Sequence, residues 1–222
     1  MNTLHWLNPD TFTATEADLA LLTPEERAQH QRFIPPGKRH EYLVARVLAR
    51  TVLGERLGLP PASLRFTANQ WGRPELEGPL RFNLTHTEGL VMLLISEGSD
   101  VGVDTEQIAR APRLLALAPN VFAPKELSDL AALPEPERAH RALTLWTLKE
   151  SYIKARGMGL ALALDGFAFR FEGPTTRLEV EPRLGDDGAR WQFQTWTQGE
   201  HLISVARPAT SPGQVDVREW RR

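Results

Sequence analysis

Two short segments of the chain contain acidic and basic residues whose spacing could place them around one reaction centre. In the first, an apolar run leads to Asp104 and Glu106, which share a face if this segment is an extended strand. In the second, Glu150 and Lys154 are four residues apart in a helical pattern and share one helix face. If the fold brings the segments together, these three carboxylates meet two lysines, Lys149 and Lys154. Such a group could bind Mg²⁺ and hold a phosphoester.

Each of these features also has an ordinary structural interpretation. Acidic residues near the end of a strand can simply be solvated. Glu150 and Lys154 can be an exposed helix ion pair, which contributes about 0.3–0.5 kcal/mol. His86 could form a hydrogen bond within a turn, and Arg73 could be a solvated turn residue. Taken singly, the residues leave both interpretations open.

The composition predicts an ordinary globular protein. The chain has 222 residues, of which 41% are hydrophobic and 24% are charged. A net charge of −2 argues against a dedicated nucleic-acid-binding protein, which is usually basic. The absence of cysteine excludes disulfides and cysteine nucleophiles. No stretch approaches the roughly 20 apolar residues of a membrane span, and the first residues lack a signal-peptide pattern, so we expect a cytoplasmic protein that binds no membrane.

Helical and strand-like patterns occur in the same order in both halves. A capping box at Thr23 predicts a short helix, and an apolar stripe predicts a longer one over residues 39–57. In the second half, a helix over residues 137–156 also precedes several strands. The strand-like runs are residues 64–69, 80–84, 90–95, 101–103, 167–171, 191–196 and 201–205. We therefore predict an α+β fold of two similar subdomains, residues 1–106 and 107–222, related by a pseudo-twofold axis with the site at their interface.

Four motifs occur in an order that resembles the Sfp-type 4′-phosphopantetheinyl transferases. That family is characterised by a Gly-Lys/Arg-Pro turn, Phe-Asn-x-Ser-His-Ser, Gly-Val-Asp-x-Glu and Trp-x-x-Lys-Glu-Ala/Ser-x-x-Lys. The matching segments are Gly72-Arg-Pro74, Phe82-Asn-Leu-Thr-His-Thr87, Gly102-Val-Asp-Thr-Glu106 and Trp146-Thr-Leu-Lys-Glu-Ser-Tyr-Ile-Lys154, with Phe122-Ala-Pro-Lys-Glu126 matching a further family element. Any one motif is weak evidence, but four in this order are specific.

The resemblance implies an enzyme that transfers the phosphopantetheine arm of coenzyme A to a serine of an apo acyl or peptidyl carrier protein. The other product is adenosine 3′,5′-bisphosphate. It implies that Asp104, Glu106 and Glu150 bind Mg²⁺, and we expect each half of the chain to supply part of this set. It further implies that Glu150 takes the proton of the serine, and that Lys154 contacts the pyrophosphate and stabilises the leaving oxygen.

Coenzyme A is expected to contact several basic and polar residues that the motifs contain. Because adjacent helical residues point about 100° apart, Lys149 is expected to reach a phosphate from the rim of the site that Glu150 faces. The residues assigned to coenzyme A within the motifs are Arg73, Thr85, His86, Lys149 and Lys154.

The start of the first long helix departs from the family pattern. Family members carry an arginine where Glu41 stands in this chain. Lys38, Arg39, His40 and Arg46 lie nearby and could supply positive charge for the 3′-phosphate. We expect Arg39 and Arg46 to contribute to coenzyme A binding.

A monomer is expected because the repeat already supplies both sides of the cleft. We expect the carrier protein to contact residues 109–121 and 158–160.

Two other functions fit the same acidic residues. One is a Mg²⁺-dependent phosphohydrolase with water as the nucleophile, and the other is a module that binds coenzyme A or a carrier protein without turnover.

Overall fold

The computed structural model describes residues 2–173 and 175–222, and the side chain of residue 160 lies outside this description. The predicted carrier contact at residues 158–160 therefore falls partly outside the described residues. None of the helices in the described ranges has the length and apolar content needed to span a bilayer.

The described chain contains one set of elements that occurs twice. The first unit comprises β1 (Thr3–Leu7), α1 (Glu16–Leu21), α2 (Pro24–Arg32), α3 (Pro36–Leu57), β2 (Phe66–Ala68), β3 (Pro74–Leu76), β4 (Leu80–Thr87) and β5 (Leu90–Glu97). The second unit comprises β6 (Gly102–Gln107), α4 (Ala111–Val121), α5 (Pro124–Ala131), α6 (Glu135–Arg156), β7 (Phe167–Glu172), β8 (Thr175–Val180), β9 (Trp191–Gln198) and β10 (His201–Pro208). A last strand, β11 (Asp216–Glu219), follows.

The sheet pairing confirms the α+β class and the repeated order of elements. Helices α3 and α6 are each 22 residues long and begin about 100 residues apart. Strand β1 pairs antiparallel with β5 in the first unit, and β6 pairs antiparallel with β10 in the second. The predicted division after Glu106 therefore falls inside β6, which is the first strand of the second unit. That a pseudo-twofold axis relates the two units stays a prediction.

Two sheets pack face to face, and each is covered on its outer side by a long helix. Their strand orders are β11-β1-β5-β4 and β6-β10-β9. A central apolar core joins them and includes Leu4, Met92, Val103 and Ile203. Separate cores lie under α3 and under α6. Because β4 and β6 are edge strands of their sheets, they can meet at one side of the molecule.

Candidate active site

The two segments that the sequence singled out meet at the junction of β6 and α6. Lys154 Nζ lies 2.6 Å from Asp104 Oδ1. It also donates to Thr85 Oγ1 at 3.0 Å and to the carbonyl oxygen of Val103 at 3.3 Å. The fold therefore brings the two segments together. One ammonium group joins β4, β6 and α6.

A glycine in β6 allows the strand to approach the helix this closely. A Cβ atom at Gly102 would lie 2.0 Å from the carbonyl oxygen of Ser151 and 2.5 Å from the amide nitrogen of Ala155. Only a residue without a side chain can occupy this position while α6 stays in place. Since Asp104 lies two residues further along the strand on the same face, the contact at Gly102 sets its distance from α6.

Glu150 lies beside the two acidic residues of β6. Burial, followed by the charges of Asp104 and Glu106, raises the pKa of Glu150 to about 7, against the opposing effect of Lys154. A carboxyl group in this environment can take up or release a proton near neutral pH. The three carboxylates therefore form one interacting group, and the single ammonium of Lys154 does not neutralise it.

Both oxygens of Glu106 are engaged by donors from the protein. Trp146 Nε1 donates to Oε1 at 3.2 Å, and Arg110 forms an ion pair with Oε2. Burial and the charge of Asp104 raise the pKa of Glu106, while Arg110 and Trp146 lower it. The sequence analysis included Arg110 only in the segment expected to contact the carrier protein, although its position four residues after Glu106 could have indicated the pair.

The donor set fits a hard divalent cation. All three side chains offer carboxylate oxygens, which Mg²⁺ prefers. Asp104 Oδ2 is buried, and no donor among the described residues forms a hydrogen bond with it. An orphaned buried oxygen beside an unneutralised carboxylate indicates a place where positive charge would be stabilising. Within the described residues, however, the acidic side chains do not already form a cluster of three arranged to hold a metal.

From the sequence we expected the three carboxylates to come from both halves of the chain, but in the structure all three belong to one unit. Because β6 pairs with β10, Asp104 and Glu106 belong to the same unit as Glu150. The first unit instead supplies the opposite wall of the cleft through β4 and the turn around Gly72. The site still lies between the units, but its acidic half belongs to one of them.

Asn83 holds the two edge strands together at the site. Its Oδ1 atom accepts a hydrogen bond from the amide nitrogen of Val103 at 2.8 Å, and both groups are buried. The contact joins β4 of the first unit to β6 of the second. The sequence analysis quoted the motif that contains Asn83 but gave this residue no function.

The turn at Gly72 docks on the end of α6. Arg73 Nη1 donates to the carbonyl oxygen of Ala155 at 3.0 Å, where a cation is favourable because the C-terminal end of a helix is negative. Arg73 Nη2 also lies 2.9 Å from Glu75 and 3.1 Å from Asp100. A cavity of about 330 Å³ lies beside it and is lined by Trp71, Gly72, Arg73, Pro74, Asn83, Leu84, Glu150, Ile153, Lys154, Gly157 and Gly159.

Thr85 and His86 lie on opposite faces of β4. Thr85 faces the second sheet and accepts the hydrogen bond from Lys154, whereas His86 Nδ1 lies 3.5 Å from Glu41 Oε2 on α3. Lys38 Nζ pairs with the same Glu41 oxygen at 2.8 Å. Burial lowers the pKa of His86, and Glu41 opposes this shift. Since β4 is an edge strand, a ligand that contacts both residues must pass around its edge.

The structure does not bring Arg39 or Arg46 to the carboxylates. Arg39 is exposed, and its Nη2 atom donates to the carbonyl oxygen of Phe33 at 2.8 Å. Arg46 lies over the ring of Tyr42, and its Nε atom is 3.9 Å from Glu26. Both lie on the α3 side of the first sheet, which is also the side that His86 faces.

The prediction that Lys149 reaches a phosphate is wrong because its side chain is fully buried. Its Nζ atom lies 2.8 Å from Glu126 Oε2. It also donates to the carbonyl oxygens of Leu164 at 2.8 Å and Phe167 at 2.7 Å. These three partners use all three donors of the ammonium group. The neighbouring position on the helix, Glu150, faces the cleft.

A larger cavity of about 680 Å³ lies away from the three carboxylates. It is bordered by the loop before β6, the end of α6 and the segment before β9. Asp186 is buried beside it and accepts hydrogen bonds from Tyr152 at 2.8 Å and Arg156 at 2.9 Å. The polar side chains beside this larger cavity are thus already hydrogen bonded to one another. The smaller cavity beside Glu150 is therefore the better candidate for the reaction site.

Comparison with known proteins identifies the family to which the chain belongs. The sequence model of the 4′-phosphopantetheinyl transferase superfamily, denoted ACPS, matches residues 100–206. The chain is 31% identical to 4′-phosphopantetheinyl transferase Sfp of Bacillus subtilis, over 70% of this chain and 69% of that one. It is also 31% identical to a phosphopantetheinyl transferase of Thraustochytrium, over 87% of this chain and 73% of the other. The chain belongs to the 4′-phosphopantetheinyl transferase superfamily, which is a family of enzymes.

Solved structures show a more distant similarity. The holo-[acyl-carrier-protein] synthase of Helicobacter pylori, solved in complex with coenzyme A, is 14% identical and gives a TM-score of 0.40. The match covers 49% of this chain and 99% of that protein. The Thermotoga maritima synthase gives a TM-score of 0.41 at 18% identity and covers 49% of this chain and 62% of its own.

Proposed function

We propose that the cleft between β4, β6 and α6 transfers 4′-phosphopantetheine from coenzyme A to a serine of an apo acyl or peptidyl carrier protein. The observation that carries this proposal is the meeting of Lys154 with Asp104, at 2.6 Å, beside Glu150 and Glu106. Membership of the transferase superfamily supports it. The reaction forms a bond between the serine oxygen and the β-phosphorus of coenzyme A and releases adenosine 3′,5′-bisphosphate.

Asp104, Glu106 and Glu150 would hold Mg²⁺. When bound, the metal neutralises charge on the pyrophosphate oxygens. The orphaned Oδ2 atom of Asp104 supports this assignment, because a buried carboxylate oxygen without a donor would be stabilised by a cation. The pKa of Glu150 is raised first by burial and then by the charges of Asp104 and Glu106, so a cation would also favour its charged form. Since Arg110 occupies one oxygen of Glu106, full use of that carboxylate requires the ion pair to open.

Glu150 is the proposed general base. Its carboxyl group faces the cleft and, with a pKa of about 7 in the metal-free protein, can exchange a proton near neutral pH. The serine oxygen then attacks phosphorus, and negative charge passes to the oxygen of the departing adenosine bisphosphate. Lys154 is the cation placed to stabilise that oxygen, because its ammonium already lies within the group of carboxylates.

Coenzyme A would lie across the edge of β4. Arg73 and the cavity beside Glu150 are on one side of this edge, and His86 is on the other. Arg39 and Arg46 could reach an anionic group on the α3 side by giving up their present contacts. Thr85 would act through Lys154, to which it is hydrogen bonded.

A monomer is proposed because one chain supplies both walls of the cleft. Light scattering after size-exclusion chromatography would test this state. A nucleic-acid or membrane partner is not proposed, because the net charge of −2 offers no general attraction to a polyanion.

The function is tested by mixing the protein with coenzyme A, Mg²⁺ and several apo carrier proteins and measuring the mass of each carrier. A gain of one phosphopantetheine group supports transfer, and a carrier with alanine in place of its acceptor serine is the control. Adenosine bisphosphate formed without modified carrier would indicate a hydrolase. Binding of coenzyme A without any reaction would indicate a binding module.

A further inference from the structure

A buried ion pair next to the proposed general base has no contact with the cleft. The side chains of Lys149 and Glu126 are both 0% exposed, and Nζ lies 2.8 Å from Oε2. Glu126 also accepts hydrogen bonds from the amide nitrogens of Ala123 at 2.8 Å and Phe169 at 2.9 Å. The pair therefore ties α6 to the start of α5 and to β7. Every charge-bearing atom in it has a partner.

The first unit contains the same arrangement about 100 residues earlier. Glu26 Oε2 accepts a hydrogen bond from Arg50 Nε at 2.9 Å. Arg50 is buried and also donates to the carbonyl oxygens of Pro61 at 3.0 Å and Leu64 at 3.1 Å. Its guanidinium lies 5.1 Å from the centre of the Phe66 ring. A cation in the middle of the long helix is thus anchored to an acidic residue and to backbone carbonyls in each unit.

The details of the two anchors correspond closely. Lys149 lies 4.1 Å from the centre of the Phe167 ring, as Arg50 lies over Phe66. The amide nitrogen of Thr23 donates to Glu26 at the start of α2, and that of Ala123 donates to Glu126 at the start of α5. Counted from the first residue of each long helix, Arg50 and Lys149 occupy the same position.

Only the second anchor stands next to acidic catalytic candidates. The positions in the first unit that correspond to Glu150 and Asp104 are occupied by Thr51 and His5. The arrangement therefore exists where no carboxylate site is present, so its basic role is to fix a long helix against its unit. In the second unit, fixing the helix at Lys149 also fixes the direction of Glu150, which is the next residue of the helix.

We propose that Lys149 and Glu126 form a positioning pair that sets the rotation of α6 and so directs Glu150 and Lys154 toward Asp104. This inference rests on the proposed function, in which Glu150 and Lys154 act on the substrates. Loss of the pair would let α6 turn or shift slightly. A displacement of about 1 Å at a catalytic group can reduce the rate about 100-fold.

The test compares Lys149→Met and Lys149→Arg with the matched variant Arg50→Met. Each methionine removes a buried cation from the middle of a long helix, but Arg50 has no catalytic neighbour. Turnover is measured at a temperature where circular dichroism shows each protein to be folded. For Lys149→Met we expect kcat to fall about 10- to 100-fold, with KM for coenzyme A within about threefold of wild type. Lys149→Arg introduces the residue type that the first unit has at the corresponding position, Arg50. This variant should keep most of the wild-type kcat.

Arg50→Met should lower the midpoint of thermal unfolding as much as Lys149→Met does while the folded protein keeps its kcat. Equal kcat in all folded variants would overturn the positioning role and leave the proposed function intact. If Lys149→Met does not fold, Glu126→Gln replaces it in the same comparison. A crystal structure of the chosen variant is a readout that needs no turnover. Displacement of Glu150 from Asp104 supports the proposal even if wild type shows no transfer, and an unmoved α6 contradicts it.

Discussion

Lys154 Nζ lies 2.6 Å from Asp104 Oδ1 and joins α6 to β6 at the centre of the cleft. This cation pairs with Asp104 and Arg110 pairs with Glu106, while burial, followed by the charges of Asp104 and Glu106, raises the pKa of Glu150 to about 7. Glu150 is thus the one member of the three without an ion pair among the described residues. A divalent cation would supply positive charge both to these carboxylates and to the pyrophosphate of the substrate.

Mg²⁺ should raise the midpoint of thermal unfolding, and the gain should grow as the pH rises through about 7. The pKa of Glu150 is raised from 4.5 to about 7 in the folded protein, so its protonated form favours folding. This contribution is fully present below about pH 4.5 and is lost as the pH rises through about 7. Mg²⁺ competes with that proton, so its binding strengthens over the same range. Thermal unfolding with and without Mg²⁺ measures the effect.

Glu150→Gln is the control for this pH dependence. The variant lacks the titrating group, so the remaining Mg²⁺ effect should vary much less between about pH 6 and pH 8. The same pH-dependent gain in the variant as in wild type would show that another group is responsible.

Arg110→Ala should strengthen the binding of Mg²⁺ to the protein in the absence of substrates. Arg110 pairs with Glu106 and competes with any metal for that carboxylate. Because a partly exposed ion pair contributes up to about 1 kcal/mol, the dissociation constant should fall by about two- to fivefold. Isothermal titration calorimetry measures it. Arg113→Ala removes the same charge from an exposed position nearby and should have a smaller effect. Weaker binding in Arg110→Ala would show that this arginine supports the metal site.

Thr105→Val should stabilise the fold by about 1 kcal/mol. Thr105 lies between the two acidic residues of β6 but faces the central core, and its buried hydroxyl has no hydrogen-bond partner among the described residues. Valine has the same shape and removes the desolvated polar group. Urea denaturation measures the change. A loss of stability would indicate that the hydroxyl has a partner in solution.

His86→Ala should raise KM for coenzyme A several-fold and change kcat little. His86 lies on the α3 side of β4 beside Glu41, away from Lys154 and the carboxylates. It can therefore contribute to binding without taking part in the chemical step. Initial rates at varied coenzyme A concentration measure both parameters. A large fall in kcat at saturating coenzyme A would place His86 in the catalytic step.

The sequence predicted the elements with strong periodicity and missed several shorter ones, among them β1, β3, β8 and β11. The long helices were expected at residues 39–57 and 137–156 and are found at Pro36–Leu57 and Glu135–Arg156. Strands β1 and β11 were not predicted, because each is short and finds its partner far along the chain. The pairing of β6 with β10, which assigns β6 to the second unit, cannot be predicted from local sequence patterns either.

In the candidate site, too, some relationships could be predicted from the sequence and others depend on the fold. Spacing predicted which residues share a face within each segment, and the family resemblance implied that Asp104 and Lys154 belong to one site, where the structure brings them into contact. They did not predict the direction of Lys149. Whether a residue next to Glu150 faces the cleft or the core depends on where α5 and β7 pack, and Glu126 becomes its partner only in the folded chain.

The most direct test of the account is the rate of carrier modification by Glu150→Gln compared with wild type. Glutamine keeps the size of the side chain but can neither accept the serine proton nor offer a charged oxygen. We expect the rate, followed by the mass of the carrier at saturating coenzyme A and Mg²⁺, to fall by about 100-fold or more, with coenzyme A affinity within a few-fold of wild type. A variant that modifies the carrier at the wild-type rate would contradict the placement of the chemistry at Asp104, Glu106, Glu150 and Lys154.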